Sequence, residues 1–345
     1  MHILIIRLGA MGDVIMATGL ISALRARYPE AHIDWLTEST YADLLNHHPQ
    51  LDGLILWPRA YWRDLGRQGR YVTVLSEART LIQRLRNNRY DLVLDVHGLL
   101  KSGVWAWLAG GVLRVGLGSR EGSQWLMTET LDRHSDSPLM GKEYRKLAAH
   151  LGAETSDFLP QVSIAPDDTA LATQLLQAHG IKHRPVVFAP FTTRPQKHWF
   201  RDRWLALAAD LSRTSQCRVI LLGGPGDADE ARHWAERGGD HLVNLVGQTR
   251  LGVAAALIAQ ARVLVGVDTG LTHLAMVLNI PTVALFGSTR PYLTPHHPRA
   301  SVLYQPMTCS PCRRHPTCAG RHDCMAQHTV DTVLAETLRL MDAAS

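Results

Sequence analysis

No apolar run in the 345-residue chain reaches the ~18 to 20 residues a helix needs to cross a bilayer, and the N-terminus lacks the basic and then apolar pattern of a secretory leader. The expectation is a cytoplasmic protein, although a soluble basic protein can still dock on anionic headgroups through a few Lys and Arg side chains. The arginines are scattered. Without a sustained basic run or an aromatic motif of RNA-binding type, nucleic acid has no support as a partner. No segment is biased enough in composition to suggest disorder. Cysteine is scarce and odd in number: there are five, four of them crowded into residues 309–324, which reads as a local cluster rather than a disulfide framework.

What is present is globular. Hydrophobic residues make up 46% of the chain and charged residues 19%, enough for each of two domains of roughly 150 to 180 residues to bury its own core. The net charge of +5 and pI near 9.1 favour anionic partners such as phosphates or an acidic membrane surface.

Strand-like apolar runs alternate with amphipathic stretches, the pattern of parallel sheets covered by helices. In the first half the strands read ILII (3–6), IDWLT (33–37), LILW (54–57) and DLVLDV (91–96), and Val14, Ala17, Leu20, Ile21 and Leu24 predict a helix over 14–27 that Pro29 stops. A second series runs VVFAP (186–190), CRVILLGG (217–224), LVNLVG (242–247), VLVGVD (263–268) and TVALFG (282–287). Pro160 and Pro166 break the alternation, which puts the interdomain connection around 155–180. The expected organisation is a Rossmann-like domain over 1–165, a second over 180–325 and a closing helix over 329–345, with packing back on the first domain as one option. Two α/β domains facing across a cleft is the simplest architecture, with chemistry just beyond the carboxyl ends of the strands.

Five such strand ends carry candidate chemistry. In RLGAMGDVIMAT (7–18), Gly9 and Gly12 lie where a helix begins, but G-x-G-x-x-G needs a third glycine, so NAD binding is disfavoured. Asp13 either caps that helix or stands over the cleft as a general base. In FAPFTTRPQKHW (188–199), Thr192, Thr193 and Lys197 suit a diphosphate, against an ordinary polar loop with a solvated lysine. In GGPGDADE (223–230), Asp227, Asp229 and Glu230 complement a helix dipole, or one of them holds ribose hydroxyls. In VGVDTGLTHLAMVL (265–278), Asp268, Thr269 and Gly270 form a turn into a helix whose free amides suit a pyrophosphate, with Thr272 and His273 in its first turn. In DVHGLLKSG (95–103), His97, Lys101 and Ser102 face an acceptor or solvent. WPRAYWRD (57–64) sets Arg59 and Arg63 among aromatics, a grip for a phosphorylated lipid headgroup or an exposed basic loop. The C-x2-C-x5-C-x5-C spacing of Cys309, Cys312, Cys318 and Cys324 opens like a zinc knuckle, but the later gaps match no common finger, so free thiols packed in a loop are favoured over structural zinc.

Taken together, RLGAMGDVIMAT, DVHGLLKS, TTRPQKHW, GGPGD and VDTGLTHLAMVLNIPTVALFGST strongly resemble the ADP-heptose:lipopolysaccharide heptosyltransferases, family 9 of the glycosyltransferases. The resemblance runs from residue 1 to about 290 and implies a GT-B fold, no catalytic metal, an acceptor on the N-terminal domain and a nucleotide sugar on the C-terminal one. It implies Asp13 as general base of an inverting transfer. Thr192, Thr193 and Lys197 become a diphosphate grip, and Asp268, Thr269, Gly270, Leu271 and His273 the segment that holds heptose and phosphates. Asp227 takes a place where some members carry Glu against the adenosine ribose. Gly12, Arg63, His97 and Lys101 fall on the acceptor side. The implied donor is ADP-heptose, and the acceptor an anionic glycolipid of the Kdo-lipid A type at the cytoplasmic face of the inner membrane. DVHGLLKS is similar to the first heptosyltransferase and the tail from CSPC to the second, so both acceptors stay open. Another family-9 nucleotide sugar, an epimerase or a binding protein on the same fold are the competing readings. The oligomeric state is not legible.

Overall fold

A computed structural model describes residues 1–292, 298–312 and 315–343. It divides into two compact units, the first formed by residues 1–137 and 141–163, the second by 138–140 and 164–345.

The first unit holds six parallel strands: β1 (His2–Ile6), β2 (His32–Glu38), β3 (Gly53–Trp57), β4 (Leu92–Asp95), β5 (Leu113–Leu117) and β6 (Glu129–Leu131), in the spatial order β3-β2-β1-β4-β5-β6. The second holds β7 (Val186–Ala189), β8 (Val219–Leu221), β9 (Leu242–Asn244), β10 (Val263–Val267), β11 (Thr282–Phe286) and β12 (Ala300–Tyr304), in the order β12-β11-β10-β7-β8-β9. Every pairing is parallel; β1, for example, sets Ile5 opposite Trp35 on one side and Leu94 on the other. Central strands such as β10, and β1 from Ile3 to Ile6, are buried and apolar because helices cover both faces. The two sheets share one topology, and each order reverses between its first and fourth strand. At such a switch point the connections leave in opposite directions and open a crevice at the carboxyl edge.

The sequence reading anticipates nine of these strands and passes over β5, β6 and β12. β6 has three residues, β5 carries Arg114 and Gly116 within LRVGL, and β12 is an edge strand with no fully buried residue. The helix predicted over 14–27 is two helices, Met11–Ala17 and Gly19–Arg27. Thr18 breaks it: its hydroxyl donates to the Ile15 carbonyl (2.7 Å) and accepts from the Gln161 amide (2.9 Å). Within the stretch expected to connect the domains, Pro166–Ala178 is helical and packs against the helix Leu251–Ala259. Pro166 opens that helix at its first turn, where a missing N–H costs nothing. The closing helix, Val330–Asp342, lays Val333, Leu340 and Met341 into the core of the second unit; residues 344–345 lie outside the described residues.

Candidate functional site

β1 runs on through Arg7 and Leu8 before the helix Met11–Ala17 begins, which places Asp13 in the first helical turn beside the switch point of the first sheet. Asp13 does not cap this helix. The N-cap position is Ala10, without a side-chain bond, and the Asp13 carboxylate pairs instead with the Arg7 guanidinium. The Arg7 side chain is 4% exposed and that of Asp13 37%, so the carboxylate is anchored from below and open from above. Arg7 also donates to the Val96 carbonyl at the end of β4 (2.8 Å). Burial works against the Arg7 charge, but Tyr144, Asp13 and Glu143 outweigh it and hold the guanidinium above its ordinary range.

Gly9 is required here by a ring: a Cβ would lie 2.7 Å from Cε2 of Tyr41. Burial, then Glu38 and Asp13, push the Tyr41 phenol up, so it stays a hydrogen-bond donor beside the carboxylates. Gly12 is half-buried in the turn that carries Asp13.

The loop after β4 is shaped by Asp95. Its buried carboxylate accepts from the His97 amide (3.1 Å), the Gly98 amide (3.0 Å) and the Ser102 hydroxyl (3.1 Å). Gly98 has φ +73°, and a Cβ there would meet the Leu117 carbonyl at 2.6 Å. Ser102 is thus part of the loop's frame. His97 is half-buried, and burial together with Arg7, Lys101 and Arg133 lowers its pKa to about 3, so it is a neutral imidazole. Lys101 reaches Glu38 at 3.6 Å, and Arg59 reaches the same oxygen at 3.1 Å. One carboxylate thereby gathers two cations at the carboxyl edge of the sheet. Arg63 stands apart, 62% exposed, with Asp64 at 3.9 Å.

In the second unit the switch point lies between β7 and β10. Asp268 follows β10, and Thr269 takes the N-cap position of the helix Gly270–Val277 without a side-chain capping bond. Lys197, from a short 3-10 turn after β7, places Nζ 2.6 Å from Asp268 Oδ2 and 3.2 Å from its main-chain oxygen. The Thr289 hydroxyl donates to the same Oδ2 (2.6 Å), and His273 Nε2 is 3.2 Å from Oδ1. On its far side, His273 Nδ1 meets the Tyr292 hydroxyl at 2.7 Å, which donates on to Met276 Sδ at 3.1 Å. Burial opposes the Asp268 charge, but the hydrogen bond and charge of His273 and those of Lys197 prevail and hold the carboxyl well below its usual range. Burial and Asp268 push Tyr292 well up. The arrangement is an ionised carboxylate at a helix start, clamped by a cation, a hydroxyl and an imidazole.

Thr272 is structural: its hydroxyl, fully buried, donates to the Val267 carbonyl (2.7 Å). Gly270 and Leu271 are half-buried at the helix start. Thr192 is half-buried and Thr193 exposed in the loop that carries Lys197, which His198 braces by reaching the Thr192 carbonyl (2.8 Å). Asp227 accepts from the Gly224 amide (2.9 Å) and so closes its own Gly-rich turn, with one oxygen outside that bond. Asp229 pairs with Arg232 one helical turn away, and Glu230 is exposed. Cys309, Cys312, Cys318 and Cys324 are free, and burial raises the Cys312 and Cys324 thiols. Among the described residues no group of three or more His, Cys, Asp or Glu is placed to hold a metal ion.

Sequence reasoning passed over Arg7, Glu38, Tyr41, Thr289 and Tyr292. Three had a signal: Arg7 prolongs an apolar strand with a charge, Glu38 is the last residue of β2, and Thr289 stands just beyond the carboxyl end of β11.

Residues 78–322 match glycosyltransferase family 9 (heptosyltransferase). The chain belongs to this family. Among curated relatives, lipopolysaccharide heptosyltransferase 1 of Pseudomonas aeruginosa is 29% identical over 322 residues, covering 90% of this chain and 86% of that protein. Lipopolysaccharide heptosyltransferase 2 of Escherichia coli K12 is 29% identical over 369 aligned positions, covering 99% of each. The structure of E. coli ADP-heptose LPS heptosyltransferase II matches with a TM-score of 0.78 and 27% identity, over 99% of each chain. The fold of this family-9 glycosyltransferase is of the GT-B class, as the resemblance implied.

Proposed function

We propose that this glycosyltransferase moves heptose from ADP-heptose to a sugar of the lipopolysaccharide inner core, either Kdo or the first heptose, with inversion at the anomeric carbon. Asp13 takes the proton of the acceptor hydroxyl as that oxygen bonds to C1. The C1–O bond to the diphosphate breaks and ADP leaves with the electron pair. The observation that carries this reading is the Arg7–Asp13 pair, a buried cation fixing an accessible carboxylate at the start of a helix. Fixed orientation at low entropic cost is what a general base needs.

In the second unit, Lys197, Thr192 and Thr193 take the diphosphate, whose negative charge grows as the bond breaks. Asp268, Thr269, Gly270, Leu271 and His273 hold the heptose and adjacent phosphate, and the free oxygen of Asp227 takes the ribose. Lys197 is neutralised by Asp268; an incoming diphosphate shares that lysine while Thr289 and His273 keep the carboxylate satisfied. On the acceptor side, Lys101 and Arg63 meet the anionic groups, His97 acts as a neutral hydrogen-bonding group, and Gly12 leaves room beside the base. The relatives' names support a lipopolysaccharide acceptor, and such an acceptor puts the enzyme at the cytoplasmic face of the inner membrane.

The test measures ADP release and product with ADP-heptose and two acceptors, one ending in Kdo and one in the first heptose. Asp13→Asn should leave ADP-heptose affinity within about twofold and lower turnover by roughly 10²- to 10⁴-fold. Near-normal turnover of that variant would remove Asp13 as the base. Donor altered with no acceptor present would favour an epimerase.

A further inference from the structure

One face of the first unit breaks the rule that surface helices turn their apolar side inward. In the helix Leu100–Ala109, Leu100, Val104 and Trp107 recur at i, i+4 and i+7 and all point to solvent, Trp107 at 53% exposure. The opposite face of the same helix is already filled by Trp105, Ala106 and Ala109 in the core. The neighbouring helix Tyr71–Asn87, which packs against it and sends Leu81 and Leu85 into the same core, exposes Tyr71, Val72 and Leu75, with Val72 at 82%. Trp125, in a turn that packs on the first helix, is 84% exposed. Between Trp57, Leu100 and Val104 lies an open cavity of about 590 Å³, with Lys101 and Glu121 at its edge. Single exposed apolar side chains are ordinary, but a patch spread over two packed helices marks an interaction surface.

Its rim carries an excess of positive charge. Residues 59–79 contain five arginines, Arg59, Arg63, Arg67, Arg70 and Arg79, against two acids, Asp64 and Glu77. Glu77 is turned inward to accept from Trp62 Nε1 (2.6 Å), while Arg67, 71% exposed, lies 3.4 Å from Asp64, the one exposed acid of the stretch. Both helices begin at the carboxyl edge of the sheet, the edge that bears Lys101 and Asp13.

We propose that this face docks the protein on an anionic lipid bilayer, with the apolar side chains entering the headgroup boundary and the arginines meeting lipid phosphates. Tyr and Trp are amphipathic and sit well at that depth, while arginine stems lie along apolar surface with their charge outward. Interfacial helices combine these features. A second copy of this chain is a poorer occupant, because a twofold interface places the same patch on both partners and would set the two arginine rims against each other. The inference rests on the proposed glycolipid acceptor only for its purpose, since docking needs no acceptor present.

Sedimentation of the full chain with vesicles of phosphatidylcholine alone, and of phosphatidylcholine with phosphatidylglycerol, tests it. The wild type should partition at least tenfold better to the anionic vesicles, and high salt should reverse most of that gain. Leu75→Glu with Trp107→Glu should cut partition tenfold or more, as should Arg67→Gln with Arg70→Gln, with ADP affinity and melting temperature unchanged in both. Vesicle binding that ignores these substitutions, or absence of binding to anionic vesicles, would overturn the proposal. So would a stable dimer that Leu75→Glu dissociates. Vesicle binding that responds as described, in a protein that transfers no heptose, would support the face and refute the proposed reaction.

Discussion

Replacing Asp268 with Asn keeps the shape of the side chain and removes the charge on which the second unit's site is organised. Three groups converge on the carboxylate, Lys197 at 2.6 Å, Thr289 at 2.6 Å and His273 at 3.2 Å, and the Lys197 and Asp268 side chains are only 16% and 12% exposed. Removing one partner of a buried ion pair typically costs ~3 to 5 kcal/mol, because the other charge is left without compensation. Asn retains one acceptor, so the lower end, about 3 kcal/mol, is expected. In a unit of this size each kcal/mol moves the melting temperature by roughly 2 to 4 °C, which gives a fall of about 6 to 12 °C. The pH dependence has a definite sign. The folded carboxyl lies below its ordinary value, so its contribution is complete above the unfolded pKa of about 4 and is lost as pH falls through the folded pKa. The wild-type advantage over Asp268→Asn should therefore be level between neutrality and about pH 5 and shrink in more acid solution. Calorimetry across that range reads both features, and a cycle with Lys197→Met should find the double variant less destabilised than the sum of the singles by about 1 to 3 kcal/mol. A variant melting within about 2 °C of wild type at neutral pH, or a gap that widens on acidification, would refute the reasoning.

The first unit should carry its own acid sensitivity. Burial lowers the pKa of His48 to about 4, and its Nδ1 accepts from the Gln50 amide (3.3 Å), a bond that protonation destroys. Stability from this group is complete above an unfolded pKa of about 6.5 and should fall by roughly 3 kcal/mol by pH 4; His48→Gln should flatten that slope in urea titrations, and an unchanged slope would count against it. Gly98→Ala adds a Cβ 2.6 Å from the Leu117 carbonyl at φ +73° and should destabilise by about 1 to 3 kcal/mol with loss of acceptor turnover, whereas full stability would show that the loop can shift. Elemental analysis of purified protein should find no stoichiometric metal, since among the described residues no group of three or more His, Cys, Asp or Glu is placed to hold one; zinc bound one to one would reverse that expectation.

The architecture was legible because a strand buried on both faces must be apolar, and β7, β10, β1 from Ile3 onward and β11 from Val283 onward obey that rule. Where burial is incomplete the signal fades. β12 is half-exposed along its length, and β6 is too short to show a period. Pro166 lies just after the division between the two units at 163/164 and also opens a helix, since a proline breaks a helix interior but suits its first turn, and only the residues after it tell the two apart. Thr18 shows the reverse failure: helical periodicity continues through it, and the break comes from a bond to Gln161, 143 residues away.

The same contrast runs through the site. Strand ends at a topological switch point can be found from sequence, and they yielded Asp13, Lys197, Asp268 and the loop from Asp95 to Lys101. What each side chain does depends on its partners, and those come from other strands. Asp13 reads equally as a cap or a base until Arg7 is seen to occupy it. Asp268 reads as an isolated acid at a strand end until Lys197, Thr289 and His273 are found around it. Each sheet therefore holds, beyond its first or fourth strand, a carboxylate set by a cation, but with opposite exposure. Asp13 is reachable by solvent, as a group that exchanges protons must be. Asp268 is enclosed, and His273 and Lys197 hold it ionised, which suits a fixed charge. The proposal of Asp13 rather than Asp268 as the base therefore draws on burial and pairing, which no spacing in the sequence encodes.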